Sequence, residues 1–219
     1  VALTGMAPAS PAAVWDVESD TWVAADALGR TLPGSAECGA PKANKTVGIF
    51  YFLWLDKNAQ AIYDITDILA ANPTDPAWGP RWSFHHWGES ELGYYASDDD
   101  YVIRRHCRML VEAGVDVLCF DATNALTYKT EYMTLLAAFQ EIRDKGGATP
   151  QMCFVVNTDN VGTVQKLYDD LYSQNLYSEL WYRWLGKPLL LAPFEGLSQA
   201  MLDFFTVRKM WAWNTGVDN

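Results

Sequence analysis

Residues Val47–Leu55 read VGIFYFLWL, an apolar run with no charged residue in it. A strand with one wet face alternates apolar and polar residues, whereas a strand buried on both faces reads as a continuous apolar run and belongs in a parallel sheet. Similar runs return at Val115–Phe120 (VDVLCF), Met152–Val156 (MCFVV), Pro188–Leu191 (PLLL) and, less cleanly, Val207–Trp213.

Helical periods fill the spaces between them. After Ser97-Asp98, residues able to cap a helix, Val102, Ile103, His106, Met109, Leu110 and Ala113 form one apolar stripe, with Arg104, Arg105, Arg108 and Glu112 off it. Gly114 is a stop. Tyr132, Leu135, Leu136, Phe139 and Ile142 make a second stripe ending at Gly146-Gly147, and Val161, Val164, Leu167, Tyr168 and Leu171 a third. Parallel strands need crossover connections, so this alternation predicts an α/β chain with five parallel strands in sequential order. A (β/α)8 TIM-type barrel takes about 250 residues. Residues 1–45, rich in Ala, Pro and Gly, read as an extended N-terminal arm. Residues 46–219 then have room for about five βα units, the N-terminal part of such a barrel.

Half of the chain is hydrophobic and 14% aromatic, with 10 Trp and 11 Tyr, enough to build a core and leave aromatics for binding surfaces. Sugars are one ligand class that uses such surfaces. The formal net charge of −11 argues against nucleic acid as a partner. No apolar run reaches the roughly 18 residues of a membrane span. The N-terminus, VALTGMAPASPAA, has neither an initiator Met nor a basic flank and is expected to be a mature or trimmed end. Cys38, Cys107, Cys119 and Cys153 lack metal-ligand spacing and read as buried free thiols. Asn44-Lys45-Thr46 fits a glycosylation sequon.

Functional residues of parallel α/β proteins gather at the C-terminal ends of the strands. That rule selects Tyr51, Trp54 and Asp56; Asp121 and Asn124; Asn157, Asp159 and Asn160; Glu195; and Trp211, Trp213 and Asn214. Each has an ordinary reading as a turn, cap or core residue. The aperiodic stretch from about Asn72 to Asp98 follows the first strand and holds Trp78, Trp82, Phe84, Trp87, Tyr94 and Tyr95, an aromatic content that points to function rather than disorder. His85 and His86 are adjacent, so they do not share a helix face as i, i+4 metal ligands do; they are expected to hydrogen-bond a ligand. No metal or cofactor is expected. His106 lies on its helix's apolar stripe and reads as a core histidine. Glycoside hydrolysis uses two carboxyl groups, and Glu89, Glu91, Asp121, Asp159 and Glu195 qualify by position.

Together, VGIFYFLW, HHWGESELGYY, SDDDYVIRRHCRMLVEAGVDVLCFDATN and GKPLLL resemble bacterial secreted proteins of the family 99-like glycoside hydrolases, related to endo-α-mannosidases, over roughly Lys45–Leu191. The resemblance implies a (β/α)8 glycosidase barrel that acts on α-linked glycan or polysaccharide, with sugar bound at the strand ends. Glu89, Tyr94, Tyr95 and Asp121 match recurring positions of that group. The catalytic candidates are Glu89, Asp121 and Glu195. The substrate-binding candidates are Tyr51, Trp54, His85, His86, Trp87, Glu91, Tyr94, Tyr95, Asn124, Asn157, Asp159, Trp211 and Trp213. The group carries its catalytic glutamates in a late WNEW- or EWHE-type segment that this sequence lacks, so they are expected beyond Asn219 or on a second chain supplying the rest of the barrel. A secreted, periplasmic or cell-surface location goes with this reading. The alternative is a non-catalytic carbohydrate-binding protein of the same barrel type.

Overall fold

The computed structural model describes residues 23–40, 42, 44–55, 61–81 and 83–210. The chain divides into two compact units, Val1–Pro41 and Lys42–Asn219. In the first, a turn is closed on Asp26, whose carboxylate accepts from the amides of Leu28 and Arg30, both at 2.9 Å, and pairs with the Arg30 side chain. The short helix α1 (Ser35–Cys38) follows it.

The second unit runs β1 (Gly48–Tyr51), α2 (Ile65–Ala71), α3 (Asp100–Glu112), β2 (Val117–Ala122), α4 (Lys129–Asp144) and β3 (Gln151–Val156). It continues through α5 (Asn160–Leu167), β4 (Arg183–Trp184), β5 (Lys187–Leu191), α6 (Gln199–Phe204) and β6 (Thr206–Arg208). Strands β1, β2, β3, β5 and β6 pair in that order and all in parallel, as the five apolar runs predict. Tyr51, Phe120, Phe154 and Leu190 form one cross-strand row, and Phe50, Cys119 and Cys153 the next. Because side chains alternate across a strand, these rows face opposite ways. The sheet is open: among the described residues β1 has one strand neighbour, and Val47, Ile49, Phe50 and Phe52 beside its free edge are exposed.

The helices cover the face that carries Phe120 and Phe154. Phe154, fully buried, meets the rings of Phe120 at 5.5 Å, Tyr132 of α4 at 5.3 Å and Tyr172 at 6.4 Å, all edge to face. Val102, Ile103 and Cys107 are the buried residues of α3, and Tyr132, Leu135, Leu136, Ala138 and Phe139 those of α4. Gly146, at φ 83°, ends α4 where a side chain would be strained. Helix α5 passes into a π-helical turn, Tyr168–Tyr172, that buries Leu171 and Tyr172.

The structure departs from the sequence expectation at four places. The N-cap of α3 is Asp99, which accepts from the Val102 amide at 3.1 Å. Ser97, one residue of the expected cap, is bonded instead to Leu55: Leu55 N donates to Ser97 Oγ at 3.1 Å and Ser97 N donates to Leu55 O at 2.8 Å. That pair draws the backbone away from β2, so ladder pairing of the first run stops at Tyr51 although the sequence stays apolar to Leu55. Helix α2, too short for a readable period, lies just before the aperiodic stretch. Finally, β4 and β5 form a hairpin through Leu185 (φ 54°) and Gly186 (φ 82°). Two positive φ values are the mark of a two-residue type I′ turn, which favours Asn-Gly and is costly for leucine.

Two substitutions test this account in chemical denaturation. Leu185→Asn, at an exposed turn position, is expected to stabilise the chain by up to about 1 kcal/mol. Phe154→Ala, which empties the centre of the aromatic row, is expected to cost about 3–5 kcal/mol.

Candidate functional site

Beyond Tyr51 the first run leaves the ladder but keeps its alternation. Tyr51 and Leu53 turn toward the helices, and Leu53 is buried. On the opposite side Phe50 and Phe52 stack at 6.3 Å between centroids, and Phe52 and Trp54 at 4.7 Å, with ring planes within 12°. Phe50 is 42% and Phe52 47% exposed, so this is a ladder of parallel aromatic faces open to solvent.

The long segment after β1 is folded against that ladder's end. Its first part pairs with its middle, Ile65 N donating to His86 O and His86 N to Tyr63 O, each at 2.8 Å. Asp64 is buried and caps α2 by accepting from Thr66 N at 2.7 Å. It also accepts from the Tyr94 hydroxyl at 2.5 Å. The hydrogen bond from Tyr94 holds the Asp64 carboxyl below its ordinary range, and the same bond pushes Tyr94 up to about 12. The His86 ring meets Tyr94 edge to face at 4.9 Å. His85 Nε2 donates to Trp78 O at 2.8 Å, and its ring lies between Trp78 and Tyr63. Gly79 is required beside them: at φ 79° a Cβ would stand 2.3 Å from the Tyr63 ring.

Between this segment and β1 lies a cleft of about 530 Å³. The ladder Phe50, Phe52 and Trp54 forms one side, and His85, His86, Trp87 and Tyr95 come from the segment. Trp87 is 83% exposed at its mouth. The inner end holds Tyr51, whose hydroxyl lies 3.0 Å from His106 Nδ1, and the Tyr95 ring stands edge to face on His106 at 5.3 Å. Burial pushes the Tyr51 and Tyr95 hydroxyls above the ordinary phenol range and His106 below the ordinary histidine range. All three are therefore neutral near pH 7. Among the described residues no carboxylate lines this cleft, and no group of three or more His, Cys, Asp or Glu is placed to hold a metal.

The structure brings Tyr51, Trp54, His85, His86, Trp87 and Tyr95 together here. Tyr94 sits one layer behind, on Asp64. Glu89 and Glu91 are exposed on a tight turn in which Ser90 Oγ donates to Gly93 O at 2.7 Å. Asp121 ends β2 outside the cleft lining, nearly buried, and accepts from Thr123 N at 2.9 Å. Asn124 and Asn157 are exposed. Asp159 caps α5, accepting from Gly162 N at 3.3 Å. Asn160 holds the β5 end through the carbonyls of Pro193 and Glu195. Glu195 is paired with Lys209 at 2.5 Å, which lowers its carboxyl pKa. Asp56, Trp82, Trp211, Trp213 and Asn214 lie outside the described residues. Sequence reading did not select Phe50, Phe52 and Asp64, and it assigned His106 to the core. The every-second-residue aromatics of FYFLW were the available signal for the first two.

No protein-family model matches the chain, and no curated protein matches it. Similar solved structures include two of the GH99 endo-alpha-mannosidase from Bacteroides thetaiotaomicron, one of them in complex with BIS-TRIS-Propane. Each is 22% identical with a TM-score of 0.42. The matched part covers 68% and 67% of this chain and 42% and 44% of those structures, so the similarity is distant and spans less than half of their length.

The Asp64–Tyr94 bond makes a pH prediction. A carboxyl whose folded pKa is depressed adds stability above its unfolded value, near 3.9, and loses it as pH falls through the folded value. Urea denaturation should therefore show Tyr94→Phe less stable than the parent at pH 7, with the gap shrinking as pH is lowered below about 4.

Proposed function

We propose that this chain is the front part of a (β/α)8 glycoside hydrolase barrel acting on α-linked glycan or polysaccharide, with the aromatic cleft as part of its sugar site. The observation that carries the reading is the Phe50–Phe52–Trp54 ladder, open to solvent at the end of the first parallel strand and opposed by hydrogen-bonding side chains. Sugar rings present C–H faces to aromatic rings and hydroxyls at their rims. A wall of flat apolar faces opposite Tyr51, His86, Tyr95 and His106 offers both kinds of partner. The neutrality of Tyr51, Tyr95 and His106 suits an uncharged ligand.

The motif resemblance over Lys45–Leu191 supports the same assignment. The exposed apolar residues at the free edge of β1 support closure by further strands, because an unpaired hydrophobic edge is an aggregation hazard. In this reading residues 1–45 are an arm, and the remaining strands come from a continuation of the polypeptide or a second chain. They also bring the acid and base that the cleft lining lacks. Glu89, which follows β1, Asp121, which ends β2, and Glu195, which follows β5, are this chain's own candidates to assist them. The protein works outside the cytoplasm, where polysaccharide is met.

Binding of α-linked oligosaccharides, followed by tryptophan fluorescence, should be weakened at least about tenfold by Trp54→Ala, about 1.4 kcal/mol. In the assembled protein, Glu89→Gln and Asp121→Asn should each lower turnover at least about tenfold. Binding without hydrolysis by the assembled protein would identify a carbohydrate-binding protein instead. Unchanged binding by Trp54→Ala would remove the ladder from the site.

A further inference from the structure

Two of the four cysteines stand side by side on the sheet face opposite the helices. Cys119 of β2 and Cys153 of β3 are register partners, and the Cys153 thiol donates to Cys119 Sγ across 3.6 Å. Paired residues of neighbouring strands stand at the strand spacing of about 4.7–4.9 Å. That spacing falls within the Cα separation of about 4.4–6.8 Å over which a disulfide closes. The two sulfurs differ in access. Cys153 is fully buried in a small cluster with Val117 and Leu189, whereas Cys119 is partly exposed. On the β1 side its register partner is Phe50, and Gly48, where a Cβ would lie 3.6 Å from Cys119 Sγ, places no side chain against the sulfur.

The chemistry of the pair is asymmetric in the same sense. Donation from Cys153 favours a thiolate at Cys119 and lowers its pKa, while the lost donor and burial push Cys153 well above the thiol range. The remaining cysteines are placed differently. Cys107 is buried among the helix-face residues, its thiol directed at Ala148 O, with burial pushing it up to about 11. Cys38, expected to be buried, is exposed and belongs to the first unit.

We propose that Cys119 and Cys153 are a redox-active dithiol, converted to a cross-strand disulfide by exchange with a small-molecule disulfide of the glutathione class. Cys119, having lost its proton to water, attacks one sulfur of the reagent. The reagent's S–S bond breaks, one thiolate leaves, and Cys119 carries the other half as a mixed disulfide. Cys153 then gives up its proton and attacks Cys119 Sγ, expelling the second thiolate. The two protons end on the two departing thiolates. The protein is oxidised by two electrons, and one disulfide reagent is reduced to two thiols. The partly exposed sulfur attacks and the buried one resolves, an order set by access and by the direction of their hydrogen bond. The site is independent of the cleft and of any sugar chemistry.

The test equilibrates the full chain with reduced and oxidised glutathione, quenches with acid, alkylates under denaturing conditions and maps the peptides by mass spectrometry. Oxidised glutathione should yield a peptide pair joined through Cys119 and Cys153, reversed by dithiothreitol, while the exposed Cys38 carries at most a glutathione adduct and Cys107 stays alkylatable. Cys153→Ser should instead accumulate glutathione on Cys119, and Cys119→Ser should gain none on Cys153. Four alkylatable thiols in excess oxidised glutathione, a bridge to Cys38 or Cys107, or an adduct on Cys153 in the Cys119→Ser chain would each overturn the proposal. Peptide mapping of the unsubstituted chain decides the matter even if neither variant folds.

Discussion

Register pairs join β2 to β3 from Val117–Gln151 through Ala122–Val156, and because both strands run the same way the chain must return over the sheet between them. A tight turn cannot make that return. The crossover is α4, and its apolar stripe has to land on the row that Phe120 and Phe154 present. The edge-to-face cluster of Phe120, Phe154, Tyr132 and Tyr172 is where strands and crossovers meet. Aromatic rings in such clusters bury large apolar areas and orient one another. Once this row is packed, all five parallel strands end at the same side of the sheet, and the polar residues that follow them are gathered there.

The two faces of the sheet have different fates. The helix face is covered and dry. The other face carries Phe50 and Cys119 side by side in one row with Cys153, and next to it the exposed ring of Phe52 and the half-buried ring of Trp54. Alternation along β1 makes that division: Tyr51 and Leu53 enter the core, while residues 50, 52 and 54 turn the other way. One short segment therefore builds part of the core and one wall of the cleft. Tyr51 joins the two, since its ring packs on Phe120 and its hydroxyl reaches His106 at the cleft's inner end.

The opposite wall depends on polar anchoring. The segment from Ala61 to Ser97 has few buried apolar residues of its own, and it is held by Asp64 with Tyr94, by backbone pairing around His86, and by the Ser97–Leu55 pair. A loop fixed by a buried carboxylate and backbone bonds can present exposed aromatics such as Trp87 without collapsing onto them. His85 of this segment is tied to Trp78 O and His106 of α3 to Tyr51, which sets how each imidazole is offered to the cleft.

The sequence by itself determined the order of the five parallel strands and of the helices α3, α4 and α5 between them, because the patterns that signal buried parallel strands and amphipathic crossovers are local and strong. Continuous apolar runs named the five parallel strands, and stripes such as Tyr132, Leu135, Leu136 and Phe139 named the helices that cover them. It also marked the segment holding His85, His86, Trp87 and Tyr95 as a place where aromatics exceed what a core needs. Tertiary structure decided which of those residues meet. His106 has the spacing of a core residue and lies on its helix's stripe, yet its ring lines the cleft between Tyr51 and Tyr95. Asp121 and Glu195 occupy the same kind of strand-end position as Trp54, but one bonds its own turn at Thr123 and the other pairs with Lys209. Nor does spacing distinguish the paired Cys119 and Cys153 from the solitary Cys107. Sequence period reports which side of its own element a residue occupies; only the register between elements, set by the packing of the whole sheet, brings side chains distant in the chain within reach of one another.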